Sequence, residues 1–372
     1  MLDALFDPQN YPFWVLVIAL IAGAIAVIAR PFFAYLKFVY PNAKYEAIGN
    51  PFVTERELQK PMESKTLTDF KESINTLKDY HIEGETTKEI QQSLDNSYIK
   101  TIDMMKEDSS KKMNDFFDLF IEKNDIQILK LTLKQKIANQ SIEENFSKEA
   151  VLSKYKTLIE NIISCSIEEI PSVIEKFPGY IVKLFSEKEI NPIKIDHVFD
   201  RYIIERFKQL KVPFKCSHAK NQFVKTLIDI SNIKNVLRAK KLGYEKEDYS
   251  SLFLGEGLEI AAWKFNEIVE AEEVPDVISS LEGTSYYASL KDSIERFTKE
   301  GTVQVLENAL DVQFLSLVKN LSLKNYGTIG PTLRFIISKE FEIRNLKIIS
   351  KGISEHLPND IMKKWFVLET AT

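Results

Sequence analysis

The most informative segment of this chain reads PTLRFIISKEFEIRNLKIISKG and covers residues 331–352. Gly330 and Pro331 mark its start, because proline lacks an N–H and suits the first turn of a helix, where that donor would be unpaired anyway. Gly352 marks its end, since glycine readily adopts the left-handed conformation that closes many helices. Apolar residues point to more than one face between these limits, which indicates a helix surrounded by others. The segment therefore predicts a long internal helix.

Charged residues interrupt the apolar pattern of this helix. Lys339, Glu342, Arg344 and Lys347 recur among the apolar positions, and such side chains are rarely buried without a partner of opposite charge. We therefore expect the charged stripe to meet water, carboxylate partners or another subunit. Glu340 and Glu342 are poor candidates for a catalytic pair, because residues two apart point to different sides of a helix.

Two earlier segments resemble this helix. They read FFDLFIEKNDIQILKLTLKQKI at 116–137 and FVKTLIDISNIKNVLRAKKLGY at 223–244. Placing Ile126, Ile233 and Ile343 in one column gives repeat spacings of 107 and 110 residues, and such a period would set the architecture of the whole chain. Three amphipathic helices can also align by coincidence, and that alternative stays open here. The preferred interpretation is three related helical units.

The same register compares the polar positions of the three helices. Its columns place Asp125 with Asn232 and Glu342, Gln127 with Lys234 and Arg344, and Ile128 with Asn235 and Asn345. Ile128 departs from the asparagines of its column, so the first unit either docks differently or needs another register. The charged residues that we predict as partner contacts are Lys234, Arg238, Lys339, Glu342, Arg344 and Lys347.

The C-terminal segment resembles the signature of a known family. That signature runs Gly-Pro, an apolar-aromatic run, Lys-Glu-x-Glu-Ile-x-Asn-Leu and Lys-Gly, matched here by Gly330, Pro331, Lys339, Glu340, Glu342, Ile343, Asn345, Leu346, Lys351 and Gly352. Weaker matches are Asp229, Asn232, Leu237 and Arg238 in the middle, and Tyr40, Asn42, Ala43, Lys44 and Ala47 near the start. Over residues 40–372 the chain is similar to the C subunit of archaeal-type rotary ATPases, whose eukaryotic counterpart is the d subunit.

Three related helical units would close into a ring- or funnel-shaped body, because each unit then buries its remaining apolar stripe against the next. We predict three helical lobes at residues 39–145, 146–250 and 251–372. The resemblance implies a non-catalytic rotor subunit of an A/V-type ATP synthase. In that role the body is a socket that couples the central-stalk shaft (D- and F-type subunits) to the proteolipid c-ring during proton or sodium transport.

Composition supports an all-α chain without nucleic-acid or catalytic functions. Glycine (12) and proline (13) are scarce, and no run alternates as strands do. The net charge is −5, so no basic surface indicates nucleic acid. Gly255-Glu256-Gly257 lacks the further glycine and lysine of a phosphate loop, and Cys216 and His218 lack the other ligands of a zinc site. We therefore expect no catalytic site, cofactor, metal or small-molecule substrate.

An apolar segment near the N-terminus predicts a membrane-spanning helix. Residues 8–29 carry no charge, and a helix of this length reaches about 33 Å, enough to cross a bilayer core. Arg30 and Lys37 follow it, and the positively charged flank of a span stays inside. We therefore predict a lead at 1–10, a span of the cell membrane at 11–38 and a cytoplasmic body. A cleaved signal peptide fits less well, because the leading residues are acidic.

Two other functional classes are compatible with the sequence alone. A membrane-anchored helical scaffold or adaptor unrelated to rotary ATPases would share the span and the helices but bind other soluble partners. A membrane-anchored hydrolase is the other class, although no nucleophile or metal set in the sequence supports it. Co-purification with proteolipid and shaft subunits separates the motor interpretation from both.

Overall fold

The computed structural model describes residues 11–77, 79–142, 150–187, 190–213, 215–244 and 249–369. Across these ranges every regular element is a helix, which confirms the all-α prediction. The predicted lead at 1–10 and the predicted boundary between residues 145 and 146 lie outside the described residues.

The helices differ widely in length. Their bounds are α1 Tyr11–Ile48, α2 Glu55–Met62, α3 Leu67–Asn75, α4 Thr87–Asp108, α5 Asn114–Ile137, α6 Ser153–Ser164, α7 Ile170–Val173, α8 Gly179–Leu184, α9 Pro192–Gln209, α10 Cys216–Lys241, α11 Ala262–Glu270, α12 Val274–Ser280, α13 Tyr287–Lys291, α14 Ile294–Glu300, α15 Gln304–Lys324, α16 Gly330–Ser354 and α17 Asn359–Lys363. Short 3₁₀ turns lie at Pro51–Val53, Lys111–Met113, Ile167–Glu169 and Ser250–Leu252. Six long helices, α4, α5, α9, α10, α15 and α16, form the centre of the body, and we call them the central helices.

Helix α1 is 38 residues long and continues beyond the predicted span. Its segment Tyr11–Arg30 is long and apolar enough to cross a membrane, judged by length and composition, and none of it is buried against the body. The helix passes Pro31 and Pro41 and ends at Ile48. Proline removes one hydrogen bond and usually kinks or ends a helix. Here the helix continues past both prolines, and the residues after Pro41 contact the body.

The last turns of α1 attach it to the body. The side-chain amide of Asn42 donates hydrogen bonds to the carbonyls of Tyr326 (2.8 Å) and Thr328 (3.0 Å), in the turn between α15 and α16. Tyr45 is 2% exposed, and its ring stacks on Phe335 with 5.2 Å between centroids. A buried amide and a stacked aromatic pair fix both the position and the direction of α1. The apolar segment therefore projects from one end of the body.

The central helices contact one another in a closed order. Three pairs, α4–α5, α9–α10 and α15–α16, are each joined by a short turn and run antiparallel, α5 then packs on α9, α10 packs on α15, and α16 returns to α4. We call this arrangement the helical ring. Every central helix has a neighbour on both sides, which explains why α16 is apolar on more than one face.

Buried carboxylates tie the central helices to the segments that follow them. Asp125 in α5 accepts hydrogen bonds from the backbone N–H groups of Val151 (2.9 Å) and Leu152 (2.8 Å). Asp229 in α10 accepts hydrogen bonds of 2.8–2.9 Å from the N–H groups of residues 258–260. Backbone donors buried at the start of a new segment need acceptors, and these two carboxylates supply them.

A third buried carboxylate also accepts a hydrogen bond from a backbone N–H, at the place where the helical ring closes. Glu342 in α16 accepts a hydrogen bond from the backbone N–H of Phe52 (3.2 Å) and another from the hydroxyl of Tyr80. The last central helix therefore holds a segment that lies near the start of the body. The side chain of Glu342 is fully buried, so this contact is internal to the chain.

These contacts correct the register of the middle helix by three residues. The equivalent carboxylates are Asp125, Asp229 and Glu342. Asn232, which the sequence comparison placed in this column, instead corresponds to Asn345. Asn232 accepts a hydrogen bond from the N–H of Leu254, and Asn345 accepts one from the N–H of Val367. The equivalent position in α5 is Ile128. In the corrected register the first unit therefore still has an isoleucine where the other two have an asparagine.

Two glycines are required by close packing. A Cβ on Gly257 would lie 1.7 Å from Oδ1 of Asp229, so the Gly-x-Gly motif belongs to the loop that wraps around this carboxylate. The prediction that Gly352 ends its helix is wrong, because α16 continues to Ser354. A Cβ on Gly352 would lie 2.1 Å from the sulfur of Met362. Glycine is needed there so that α17 can approach α16.

We expect the substitution Asp229→Ala to lower the free energy of unfolding by about 3–5 kcal/mol, because it leaves several buried N–H donors without an acceptor. Asp292→Ala is the matched control, since Asp292 is exposed and its loss should change stability by at most about 0.5 kcal/mol. Equilibrium denaturant unfolding of the full-length chain in detergent measures both. Equal effects of the two substitutions would contradict the assigned role of Asp229.

His197 in α9 should make stability depend on pH. It is 6% exposed, and burial lowers its pKa from 6.5 to about 4, with nearby Asp200 only partly opposing this. Between these values the unfolded chain binds a proton at His197 and the folded chain does not. The free energy of unfolding therefore falls as pH falls through this window, by about 3 kcal/mol in total. Denaturant titrations over this pH range should show a flatter profile for His197→Leu, and an unchanged slope would refute the assignment.

Candidate functional site

A cavity of about 570 Å³ lies inside the helical ring. Its wall comes from five central helices, α5, α9, α10, α15 and α16, and most of the lining side chains are charged. The basic ones are Lys123, Lys130, Lys134, Lys234, Arg238 and Arg344, and the acidic ones are Asp196, Asp200, Glu307, Asp311 and Glu340. Because both signs are present in nearly equal numbers, the cavity favours neither simple anions nor simple cations.

Ion pairs between α5 and α9 form one side of the wall. The Nζ of Lys130 lies 2.7 Å from Oδ1 of Asp200 and 3.3 Å from Oδ1 of Asp196, and the Nζ of Lys134 lies 2.6 Å from Oδ2 of Asp196. Burial by itself would raise the pKa of Asp196, but the charges of Lys130 and Lys134 outweigh burial and lower it. Asp196 is therefore ionised and joins the two helices electrostatically.

A second side of the wall repeats this arrangement between α10 and α15. The Nζ of Lys234 lies 2.6 Å from Oδ1 of Asp311, and Arg238 donates two hydrogen bonds to Glu307, of 2.5 and 2.8 Å. Arg344 of α16 makes another contact with Asp311, at 2.6 Å. Burial alone would raise the pKa of Asp311, but Lys234 and Arg344 outweigh it and lower this pKa. One carboxylate thus joins three helices.

The contact between α16 and α4 closes the helical ring with fewer charges. Lys347 pairs with Asp95. Four residues before Asp95 the chain has Gln91, whereas the equivalent positions of α9 and α15 are the acids Asp196 and Glu307. The amide of Gln91 donates a hydrogen bond of 3.4 Å to the carbonyl of Lys347. On the inner side, the Nζ of Lys123 in α5 lies 2.6 Å from Oε1 of Glu340 in α16. The cavity wall is closed by this pair, and α4 lies behind it.

The lysine–aspartate contacts occupy equivalent positions in the three helix pairs. Each lysine stands five residues after the buried carboxylate of its own helix, and the three lysines are Lys130, Lys234 and Lys347. Each aspartate lies in the first helix of the next pair, and the three aspartates are Asp200, Asp311 and Asp95. The same type of contact therefore joins the helical ring three times.

Aromatic side chains close the cavity on the side of α1. Ring centroids are 6.2 Å apart for Phe120 and Phe223, 6.0 Å for Phe223 and Phe314, and 6.4 Å for Phe314 and Phe341. Rings from α5, α10, α15 and α16 thus meet at the centre. Along α16 this cluster lies between the first turn, which contacts α1, and Arg344 in the wall. The cavity therefore opens on the end of the body opposite to α1.

Half of the predicted contact residues lie together in this cavity. Lys234, Arg238 and Arg344 line its wall, on two different helices. Lys347 lies outside it, at the contact between α16 and α4, where its side chain is 33% exposed. Three of the six predicted residues thus line the cavity, and a fourth lies outside it.

The other two predicted contact residues, Lys339 and Glu342, lie inside the body. The Nζ of Lys339 is 2.6 Å from Oε1 of Glu342, and their side chains are 3% and 0% exposed. The hydroxyl of Tyr80 completes this buried group. Their charges serve the attachment of the N-terminal segment, and no part of the carboxylate is available to a separate protein. We therefore propose partner contacts only for Lys234, Arg238, Arg344 and Lys347.

Sequence reasoning missed the acids of the wall. Asp196 and Asp200 in α9, and Glu307 and Asp311 in α15, are each four residues apart, a spacing that places both side chains on one face of a helix. This spacing in the helix before a repeat segment was the signal that could have identified them. Among the residues that the structure describes, no three His, Cys, Asp or Glu side chains are placed to hold a metal ion.

The geometry describes a closed ring of helices around a polar cavity with one aromatic end. The family model described as ATP synthase (C/AC39) subunit matches residues 41–365. This chain belongs to that family. The match begins where α1 attaches to the body, so the apolar segment of α1 lies outside it.

Individual members of the C/AC39 family are similar over most of the chain. The C subunit of the A-type ATP synthase of Methanothermobacter thermautotrophicus is 28% identical over 344 residues, which cover 90% of this chain and 89% of the relative. The protein of the same name from Methanocaldococcus jannaschii is 31% identical over 268 residues, covering 68% and 65%. That of Pyrococcus horikoshii is 26% identical over 346 residues, covering 89% and 90%.

Membership in the C/AC39 family makes this chain a structural, non-catalytic subunit of a rotary ATPase, within a membrane-associated complex. The resemblance stated from the sequence is thereby confirmed. The two alternatives, an adaptor unrelated to rotary ATPases and a membrane-anchored hydrolase, are excluded by the same match. The charged cavity therefore belongs to a structural subunit.

We expect Lys130→Met to lower the free energy of unfolding by about 3 kcal/mol, because it leaves Asp200 without its cation and removes one of the cations beside the buried Asp196. Lys130 is 7% exposed at its side chain, whereas Lys347 is 33% exposed. The equivalent substitution Lys347→Met should therefore change stability by at most about 1 kcal/mol. Denaturant unfolding of both full-length variants in detergent compares the contacts. A larger effect at Lys347 would contradict the ranking.

Proposed function

We propose that this C/AC39 subunit is the socket that couples the central-stalk shaft of an A/V-type ATP synthase to its proteolipid ring. The observation that carries the proposal is the charged cavity, closed at one end, inside a closed ring of helices. A shaft end seated in such a cavity is held from several sides at once. Torque can then cross the junction without bond chemistry, while protons or sodium ions move through other subunits.

The charged wall suits the shaft, which we propose to consist of D- and F-type subunits. Lys234, Arg238 and Arg344 face the cavity beside their acidic partners. A shaft surface with charges of both signs can match this wall in one orientation. Rotation out of that orientation would bring like charges together, which costs several kcal/mol when the contact excludes water. The alternating charges therefore resist slipping.

We further propose that the body divides into three lobes at 39–145, 146–250 and 251–372. The equivalent lysine–aspartate contacts support this division, because each lobe would contribute one pair of central helices. The end of the third lobe returns to the first, since the backbone N–H of Glu369 donates a hydrogen bond of 2.9 Å to the carbonyl of Val53. A collar closed in this way is stiff, as a torque adaptor must be.

We propose that residues 11–38 cross the cell membrane once and leave the body in the cytoplasm. The apolar segment of α1 is exposed along its length, and exposed apolar helices of this kind are stable only in lipid or against a partner. Arg30 and Lys37 follow the segment and favour a cytoplasmic body. The cavity opens away from α1, and therefore toward the side from which a soluble shaft would approach.

Photo-cross-linking in the intact complex tests the socket. Gln127 lines the cavity and is exposed, so a photoreactive residue at this position is expected to capture a D- or F-type shaft subunit. Glu168 is exposed but lies outside the cavity, and the same residue placed there should capture no shaft. Gentle purification of the tagged chain should also recover proteolipid subunits. Loss of both partners, or equal capture from the two positions, would refute the proposal.

A further inference from the structure

The second helices of the three pairs, α5, α10 and α16, can be compared position by position along the cavity. The corrected register aligns their buried carboxylates Asp125, Asp229 and Glu342. Counted from this carboxylate, the positions two before, two after, five after and nine after it form four sets of three residues. We call these sets levels 1 to 4 of the cavity. All four residues of α5, all four of α10 and the first two of α16 line the cavity.

Levels 3 and 4, toward the open end, do not distinguish α5 from α10. Level 3 contains Lys130, Lys234 and Lys347, and level 4 contains Lys134, Arg238 and Lys351. Every position is thus a cation, although the two cations of α16 lie outside the cavity. A partner that met only these levels would find the same sign of charge on α5 and on α10. The open end therefore does not define a single orientation for that partner.

Levels 1 and 2, toward the aromatic end, differ from helix to helix. Level 1 contains Lys123, Leu227 and Glu340, which are basic, apolar and acidic, and level 2 contains Gln127, Ser231 and Arg344. Each residue of level 1 stands within four positions of a ring that closes the cavity, and these rings are Phe120, Phe223 and Phe341. The repeated symmetry of the helices is therefore broken in the deepest part of the cavity.

On one side of this deep part, charged groups join α5 to α16. The Nζ of Lys123 lies 2.6 and 2.7 Å from the two carboxylate oxygens of Glu340, and the Glu340 side chain is 40% exposed. Arg344 stands one turn further along and is 35% exposed at its side chain. A carboxylate has about four acceptor sites, so the exposed Glu340 retains hydrogen-bonding capacity toward the cavity.

The other side of the deep part is uncharged. In the order of the helical ring, α10 lies across from α4, and the Lys123–Glu340 pair stands in front of α4. Leu227, Ile230 and Ser231 of α10 line the cavity there. A charged group of a partner placed against Leu227 would lose its hydration without gaining a hydrogen bond, which is costly. The two sides therefore accept groups of different chemistry.

We infer that Lys123, Leu227 and Glu340 select the orientation in which the shaft enters the socket. The matching shaft end carries an apolar side chain toward α10 and a charged or hydrogen-bonding group toward the Lys123–Glu340 pair. After a third of a turn, that group would meet leucine, and the apolar side chain would meet the ion pair. The inference rests on the proposed function and adds the residues that choose one orientation among three.

Photo-cross-linking from Gln127 in the intact complex, followed by mass spectrometry of the captured peptide, reports which side of the shaft faces α5. The unmodified chain should capture one side. The double substitution Lys123→Leu, Glu340→Leu makes level 1 alike in all three helices, and it leaves no unpaired charge because both partners are removed. A second side of the shaft should then account for at least about a tenth of the captured product.

The matched control removes an ion pair that lies outside the cavity. Lys106 of α4 pairs with Asp118 of α5, so Lys106→Leu, Asp118→Leu makes the same chemical change between two central helices without altering level 1. Capture from Gln127 should stay on one side of the shaft. A charge swap, Lys123→Glu with Glu340→Lys, keeps an ion pair between α5 and α16. It should lower the amount of shaft retained about tenfold, because the charges that meet the shaft are reversed.

Two results would overturn the inference while leaving the proposed function intact. One is that the double variant still captures only the side that the unmodified chain captures. The other is that the unmodified chain captures several sides equally. If the double variant does not assemble, the charge swap decides, and unchanged retention of the shaft then overturns the inference. Absence of any shaft capture from the unmodified chain would instead refute the proposed function.

Discussion

Each pair of central helices is joined to the next by a lysine that reaches an aspartate across the contact, and this ion pair, together with the packing of the helices around it, recurs at all three contacts of the closed ring. A row of helical repeats normally exposes an apolar face at each end and needs a polar capping repeat there. Here the face of α16 that would be exposed is covered by α4. Lys347 and Asp95 make the same contact at this closure as Lys130 and Asp200 make within the ring. Because the ring is closed, no end face is left that would need a polar capping repeat.

The ion pairs that join the helices also form the wall of the cavity. Lys130, Lys234 and Arg238 each pair with an acid across a helix contact and also line the cavity. If the cavity of about 570 Å³ were lined by apolar side chains, it would expose a large apolar surface in the free subunit and favour aggregation. A wall of paired charges is compatible with water in the free subunit. In the proposed function the side chains that hold the helices together also contact the shaft, so substitutions in the wall should affect both stability and binding.

The sequence predicted the central helices well, because apolar spacing, proline starts and the repeat of α5, α10 and α16 are local signals. It misplaced the middle helix by three residues, since a shift of almost one turn leaves the apolar face nearly unchanged and moves only the polar positions. The register therefore placed Asn232, and not Asp229, in the column of Asp125 and Glu342. The acidic partners of the wall were not found, because Lys234 and Asp311 lie 77 residues apart and only the fold brings them together. Gly352 was misjudged because its contact, Met362, belongs to another helix.

The hydrogen bond from Glu369 to Val53, together with that from Phe52 to Glu342, joins the two ends of the body. Ribosomes add roughly 5–20 residues per second, so the roughly 300 residues between these ends take roughly 15–60 s to synthesise. Helix α1 emerges long before the acceptor of the Phe52 N–H exists. Translation therefore separates the two events in time: α1 is complete while the ring of central helices is still open, and the ring can close only after Glu342 and Glu369 have been synthesised.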